Sequence, residues 1–132
     1  MSCSAQSPSG FAQRWDYPQP HLLFTRVLAG DIDGLNHTNN AVYVDWCQRV
    51  AWSHSVALGL DLERYRALVI TYSEFHYLQA SREGDEVAVA TWIVNWDRKL
   101  TMARRFQALR VDDGGTLLRA AMDKGIGKDD PV

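Results

Sequence analysis

The chain has 132 residues, 46% of them hydrophobic and 23% charged, with a formal net charge of −2. A chain of this length and composition is expected to form one globular domain with a core that needs no disulfide or metal to close it. The near-neutral charge gives no general attraction to nucleic acid or to an anionic membrane, so neither is expected as a partner.

Residues 1–20 hold Ser, Gln, Gly, Pro and a Trp15-Asp16-Tyr17 cluster, and read as a flexible leader whose aromatic rings dock late. Residues 21–29 are apolar and β-prone and predict a strand. Residues 30–40 carry Gly30, Gly34, Asp31, Asp33, Asn36, Asn39 and Asn40 and predict a loop. A helix is expected over 40–58, capped by Thr38, Asn39 or Asn40 and ended by Gly59. Its polar positions Asp45, Gln48, Arg49 and Ser55 share one side, and the wide apolar remainder predicts a helix largely enclosed by other structure. Residues 60–68 suit a short polar helix. Strands follow at 69–78, 86–96, 99–111 and 116–122, the second of them expected to alternate with Val87, Val89, Thr91 and Ile93 on one face; they are broken by Gly84-Asp85, Asp97-Arg98 and Asp113-Gly114-Gly115, which are hairpin-type breaks.

One strand, a long loop, one long helix and four strands make an α+β chain. An antiparallel sheet needs one face covered, and the 40–58 helix is the element available to cover it. A sheet wrapped around one long central helix is the hotdog arrangement. The domain is expected over 21–127, with a tail at 128–132. Cys3 and Cys47 are not expected to pair, and free thiols suit a reducing, cytoplasmic setting. No apolar run is long enough to span a bilayer or to serve as a secretory signal.

The loop leading into the helix is the first place where chemistry can reside. A helix start offers free N–H groups and partial positive charge, which polarise a carbonyl and stabilise an oxyanion. Asp33, seven residues before Asn40, can face such a carbonyl, with His37 between them. The plain alternative is that these Asp and Asn residues are only turn formers and caps. A metal site is not expected, because no HExxH motif or Cys pair occurs. Cys47 on the enclosed helix face reads as a small hydrophobe, and no Gly-x-Ser-x-Gly elbow is present. His54 reads as a packed or partly exposed residue; Arg104 and Arg105 could hold a phosphate but read more plainly as a solvated strand face; and Glu74 with His76 reads as a structural pair.

The run from Gly30 through Asp33-Gly34-Leu35-Asn36-His37-Thr38-Asn39-Asn40 to Tyr43 and Trp46 resembles the signature of the 4-hydroxybenzoyl-CoA thioesterase family, roughly Asp-x-Asp-x-x-Gly-His-Val-Asn-Asn-x-x-Tyr. Tyr77-Leu78-Gln79-Ala80 with Gly84-Asp85 resembles that family's Tyr-x-x-Pro-Ala and Gly-Asp. The resemblance implies a hotdog fold, a homodimer or homotetramer, and hydrolysis of an acyl thioester on coenzyme A or acyl carrier protein, with no metal or other cofactor. It assigns catalytic roles to Asp33 as nucleophile or general base, His37 as an orienting group, and Asn40 through its helix-tip N–H. Asn39 and Tyr43 are then expected to bind substrate. Three departures stand out: Asn36 replaces the usual Gly, Thr38 the usual Val, and Ala80 the usual Pro. Asn36 and Thr38 keep open a non-catalytic acyl-ligand binding module on the same fold, and Ala80 bears on the loop near the pantetheine channel. A hydratase using Asp33 and His37 ranks behind both.

Overall fold

The computed structural model describes residues 14–97 and 101–125. Cys3, most of the expected leader and the expected 128–132 tail lie outside the described residues. Five strands form one antiparallel sheet: β1 (His21–Arg26), β2 (Val69–Tyr77), β3 (Glu86–Trp96), β4 (Met102–Arg110) and β5 (Thr116–Gly125). Between β1 and β2 run a long helix α1 (Asn40–Ala57) and a short helix α2 (Leu62–Ala67). The spatial order is β1-β3-β4-β5-β2, so the meander of β3, β4 and β5 forms the middle and the two strands flanking the helices form the edges. This is the expected hotdog arrangement.

Local chemistry sets both ends of α1. Asn39 is the N-cap, and its side-chain oxygen accepts from the Ala41 N–H at 3.0 Å. At the other end Gly59 takes φ 70°, the Gly59 N–H reaches Val56 O, and the Leu60 N–H reaches Ser55 O. That pair of bonds is a Schellman stop, which favours glycine because the left-handed backbone crowds a Cβ. Tyr43, Trp46, Cys47, Val50 and Ala51 pack against Val87, Val89, Phe106, Ala108, Leu117 and Leu118 of the sheet. Each fully buried large side chain here contributes about 1.5–3 kcal/mol of hydrophobic stabilisation.

Three features differ from expectation. First, α1 is covered on one face only: Ala41, Asp45, Gln48, Arg49 and Val56 are exposed, because a single five-stranded sheet reaches one side of a helix. Second, Ser55, expected on the polar side, is fully buried, and its hydroxyl donates to Ala51 O at 2.9 Å. Third, β3 does not alternate in burial. Val87 through Trp92 are all buried, although even and odd residues face opposite sides of the sheet.

The last feature has a local cause in residues 14–20, which lie along the outer face of the sheet. The Trp15 and Tyr17 rings sit 6.1 and 5.3 Å from the Trp92 ring. The Trp92 indole N–H donates to Pro18 O at 3.0 Å. The buried Gln107 amide accepts from the Asp16 N–H at 2.9 Å and donates to Arg14 O at 3.0 Å. Asp16 pairs with Arg119 through two bonds of 2.7 and 3.0 Å. The segment therefore acts as a strap over the second face of the sheet. Among the described residues, no helix is long and apolar enough to cross a membrane.

Candidate active site

The loop before α1 is a tight hairpin. Ile32 and Thr38 form an antiparallel bridge, and the Asp33 N–H donates to His37 O at 2.8 Å. The Asp33 Oδ1 accepts from the Leu35 N–H at 2.8 Å and the His37 N–H at 3.2 Å. These two bonds, Leu35 first, hold the Asp33 carboxyl below the usual carboxylate range, so it stays ionised. Asn36 at the tip adopts φ 63°. Glycine and asparagine tolerate that conformation best, so Asn36 in place of the family's glycine leaves the turn intact.

Asp33, His37, Thr38, Asn40 and Tyr43 line one side of a cavity of about 230 Å³, and Tyr77, Leu78, Gln79 and Ala80 line the other. Asn40 is the first residue of α1, and its N–H makes no hydrogen bond among the described residues. The neighbouring Ala41 N–H is taken by the Asn39 side chain, so Asn40 carries the free donor at this helix tip. Asp33 Oδ2 likewise has no partner among the described residues. One cavity therefore has an ionised carboxylate and a free helix-tip N–H among its lining residues.

Of the five residues singled out in the sequence, Asp33, His37, Asn40 and Tyr43 come together here. Asn39 does not. Its side chain is spent on the cap, its N–H donates to Asp31 O at 2.8 Å, and it lines a separate groove between β1 and α1. The side-chain oxygen serves the cap, because an N-cap oxygen turns back toward its own helix. Cys47 is free, and burial pushes its thiol far above the ordinary range, which leaves it inert. No group of three or more His, Cys, Asp or Glu that could hold a metal occurs among the described residues.

Sequence reading missed the residue that joins the two walls. Ser81 is fully buried and meets the Thr38 and Tyr43 hydroxyls at 2.7 Å each. Thr38 Oγ1 also donates to Ser81 O at 3.1 Å. One assignment uses every hydroxyl hydrogen: Tyr43 donates to Ser81, Ser81 to Thr38, and Thr38 to the Ser81 carbonyl. Thr38 in place of the family's valine is thus matched by a serine one position past Ala80. Arg110 supports the same wall, donating to Ala80 O at 2.6 Å while pairing with Asp113 and Asp85. Ser81→Ala orphans the buried Tyr43 hydroxyl and is expected to cost about 1–3 kcal/mol, read from urea unfolding. Adding Tyr43→Phe should recover part of that loss, since no hydroxyl is then left unpaired.

A second polar cluster lies toward the C-terminal end of α1. Arg104 was expected on a solvated face, yet it is 3% exposed. Its parity with Met102 and Phe106 already assigns it to the inner face of β4. It donates to His54 Nδ1 at 2.9 Å, Ser55 Oγ at 2.9 Å, Thr91 Oγ1 at 3.3 Å and Ala51 O at 3.3 Å. Because a guanidinium only donates, His54 Nδ1 must be the acceptor, and the neutral ring carries its proton on Nε2. His21 stacks on His54 at 4.7 Å. Burial, then Arg104 and His21, pull His54 down to about 4. The unfolded chain, with an ordinary histidine near 6.5, binds that proton more readily. Stability should therefore hold above pH 6.5 and fall as pH is lowered toward 4. Partial exposure of His54 limits the loss to about 1–2 kcal/mol. Urea midpoints taken across that window should show the slope, and His54→Asn should reduce it.

A profile of the Thioesterase-like superfamily matches residues 27–124. With the hotdog fold and the loop-to-helix cavity, this defines a thioesterase-type domain, and the chain belongs to the Thioesterase-like superfamily. It is 30% identical over 103 residues to Protein THEM6 of Danio rerio, covering 75% of this chain and 48% of that protein. The chain thus spans about half the length of that curated relative. Slr0204 of Synechocystis, a 1,4-dihydroxy-2-naphthoyl-CoA thioesterase, superposes with a TM-score of 0.72 at 15% identity over 81% of each chain. SAV2348 of Staphylococcus aureus, solved in complex with CoA, superposes with a TM-score of 0.71 at 21% identity over 81% of this chain and 69% of its own. At these identities the likeness is one of fold.

Proposed function

We propose that the protein is an acyl-CoA thioesterase that hydrolyses its substrate at the Asp33–Asn40 cavity. The observation that carries this reading is that an ionised carboxylate and the Asn40 helix-tip N–H, free of partners among the described residues, belong to residues lining the same cavity. The thioester carbonyl oxygen docks at the Asn40 N–H, where developing negative charge is stabilised. Asp33 then either attacks the carbonyl carbon, forming an anhydride that water opens, or takes a proton from the attacking water. In both routes the thiolate leaves, is protonated to the thiol, and the acyl group departs as a carboxylate. His37 sits where it can orient the water or Asp33. The Asp33–Tyr43 motif supports placing the chain near the 4-hydroxybenzoyl-CoA thioesterases, and with them CoA as the carrier.

The cavity lies against edge strand β2, whose Val69, Ile70, Tyr72 and Tyr77 are exposed. An unpaired apolar edge favours pairing with a second copy, so the working unit is a homodimer, or a homotetramer built from it. A buried free thiol at Cys47 suits a reducing, cytoplasmic setting.

The test is thiol release from a panel of acyl-CoAs. A non-catalytic acyl-ligand module is favoured by one feature, the commitment of Asp33 Oδ1 to its own turn. Acyl-CoA binding by calorimetry, with no thiol released across the panel, would select that alternative.

A further inference from the structure

Arg104 poses a problem that the proposed chemistry does not solve. It is a buried cation with no carboxylate within ion-pair distance among the described residues, and its Nε–H is buried without a partner. The four acceptors around its terminal nitrogens are all neutral, and so is the Tyr65 ring, whose centroid stands 5.9 Å from the guanidinium carbon. Some compensation comes from lying near the negative end of α1. A guanidinium held this way is still costly, and an anion is the partner that offsets the cost.

The surroundings indicate what kind of anion fits. Arg104 and Lys124 line a crevice with Tyr65, Met102 and Met122. Lys124 Nζ stands 4.1 Å from the Tyr65 ring centroid, so a second cation shares this spot. The crevice is too narrow for a water molecule as it stands. Two of its five walls are methionines, the side chains that rearrange most readily. Tyr65 and Met102 also line an adjoining cavity of about 480 Å³, where Leu58, Leu60, Leu68 and Trp96 supply an apolar surface and Asp61 and Arg64 contribute the charged groups. That volume lies within the usual range for small-molecule pockets. The pair reads as a two-part site, a cationic slot behind an apolar chamber. It lies some four to five helical turns from the Asn40 tip, on the order of 25 Å along α1.

We infer that the chamber at the C-terminal end of α1 binds an amphipathic monocarboxylate, with the carboxylate between Arg104 and Lys124 and the apolar body against Leu58, Leu60, Leu68 and Trp96. Met102 and Met122 move aside as the carboxylate enters. The site is separate from the Asp33 cavity and needs no turnover.

The test uses decanoate as probe, with decanol as its neutral counterpart, on the full chain carrying 13C-methyl methionine. Decanoate should bind at least tenfold more tightly than decanol by calorimetry, and it should shift the Met102 and Met122 methyl signals while leaving Met1 unmoved. Arg104→Met should weaken decanoate at least tenfold and leave decanol unchanged. Lys124→Met, at a partly exposed position, should weaken decanoate to a smaller degree and supplies the comparison if Arg104→Met does not fold. Equal affinity for decanoate and decanol would overturn the inference. So would decanoate binding that leaves both Met102 and Met122 unshifted.

Discussion

Asp33→Asn is expected to lower acyl-CoA turnover by about a thousandfold or more, the size of effect that follows removal of a nucleophile or general base. Asparagine is the informative replacement because its side-chain oxygen can still accept from the Leu35 and His37 N–H groups that shape the hairpin. The variant removes the charge and keeps the turn, whereas Asp33→Ala removes both. Asn and Ala variants of equal inactivity, with wild-type melting behaviour in the Asn case, place the loss on the carboxylate. Turnover retained in Asp33→Asn would return Asp33 to the role of a cap. The same two backbone bonds lower the Asp33 carboxyl below its ordinary value of 3.8. The charged form is the one the folded loop favours, so the acid limb of the activity profile should lie below that value. Activity limited by Asp33 should thus persist to more acid pH than an unperturbed carboxylate allows, below the window from pH 6.5 to 4 in which protonation of His54 weakens the fold.

What the sequence made legible was local. Asn39 and Gly59 mark the ends of α1 because caps and left-handed stops are chosen by backbone chemistry within a few residues. The hairpin breaks separate the strands for the same reason, and every strand falls close to its expected place. The run from Asp33 to Tyr43 could be read as a site because loop and helix tip are continuous in sequence. The unread features all depend on residues brought together over long separations. The strap joins Asp16 to Gln107 across 91 positions; the Trp15 and Tyr17 rings announced that the segment docks, but nothing near either residue said where. Its effect was to turn the expected alternation of β3 into a continuous buried run. Ser81 reaches Thr38 across 43 positions, so the clasp between the two cavity walls had no local signature. Ser55 looked like a solvent-facing helix residue until β4 carried Arg104 up to it. Asn39 stands apart for a local reason: N-cap geometry turns its side-chain oxygen back to its own helix and away from the Asp33 cavity.

Asn40→Pro offers the sharper test of the helix tip, because it deletes one hydrogen-bond donor and little else. Proline is well tolerated at the first helical position, where its missing N–H has no acceptor within the helix and its fixed φ suits the turn that follows. The residue before a proline must avoid the helical region, and Asn39 already sits at φ −63°, ψ 137°. The variant should therefore fold with unchanged melting temperature and circular dichroism. With Asn40→Ala as control for the lost side chain, any further loss belongs to the N–H itself. Removing a single oxyanion donor costs about 10²–10³ in kcat, and that is the drop expected for Asn40→Pro relative to Asn40→Ala. Because the donor acts on the charge that develops during reaction, the loss should fall on kcat more than on KM. Equal rates for the proline and alanine variants would mean that the carbonyl docks elsewhere, and the helix start would then serve only to hold the Asp33 loop in place.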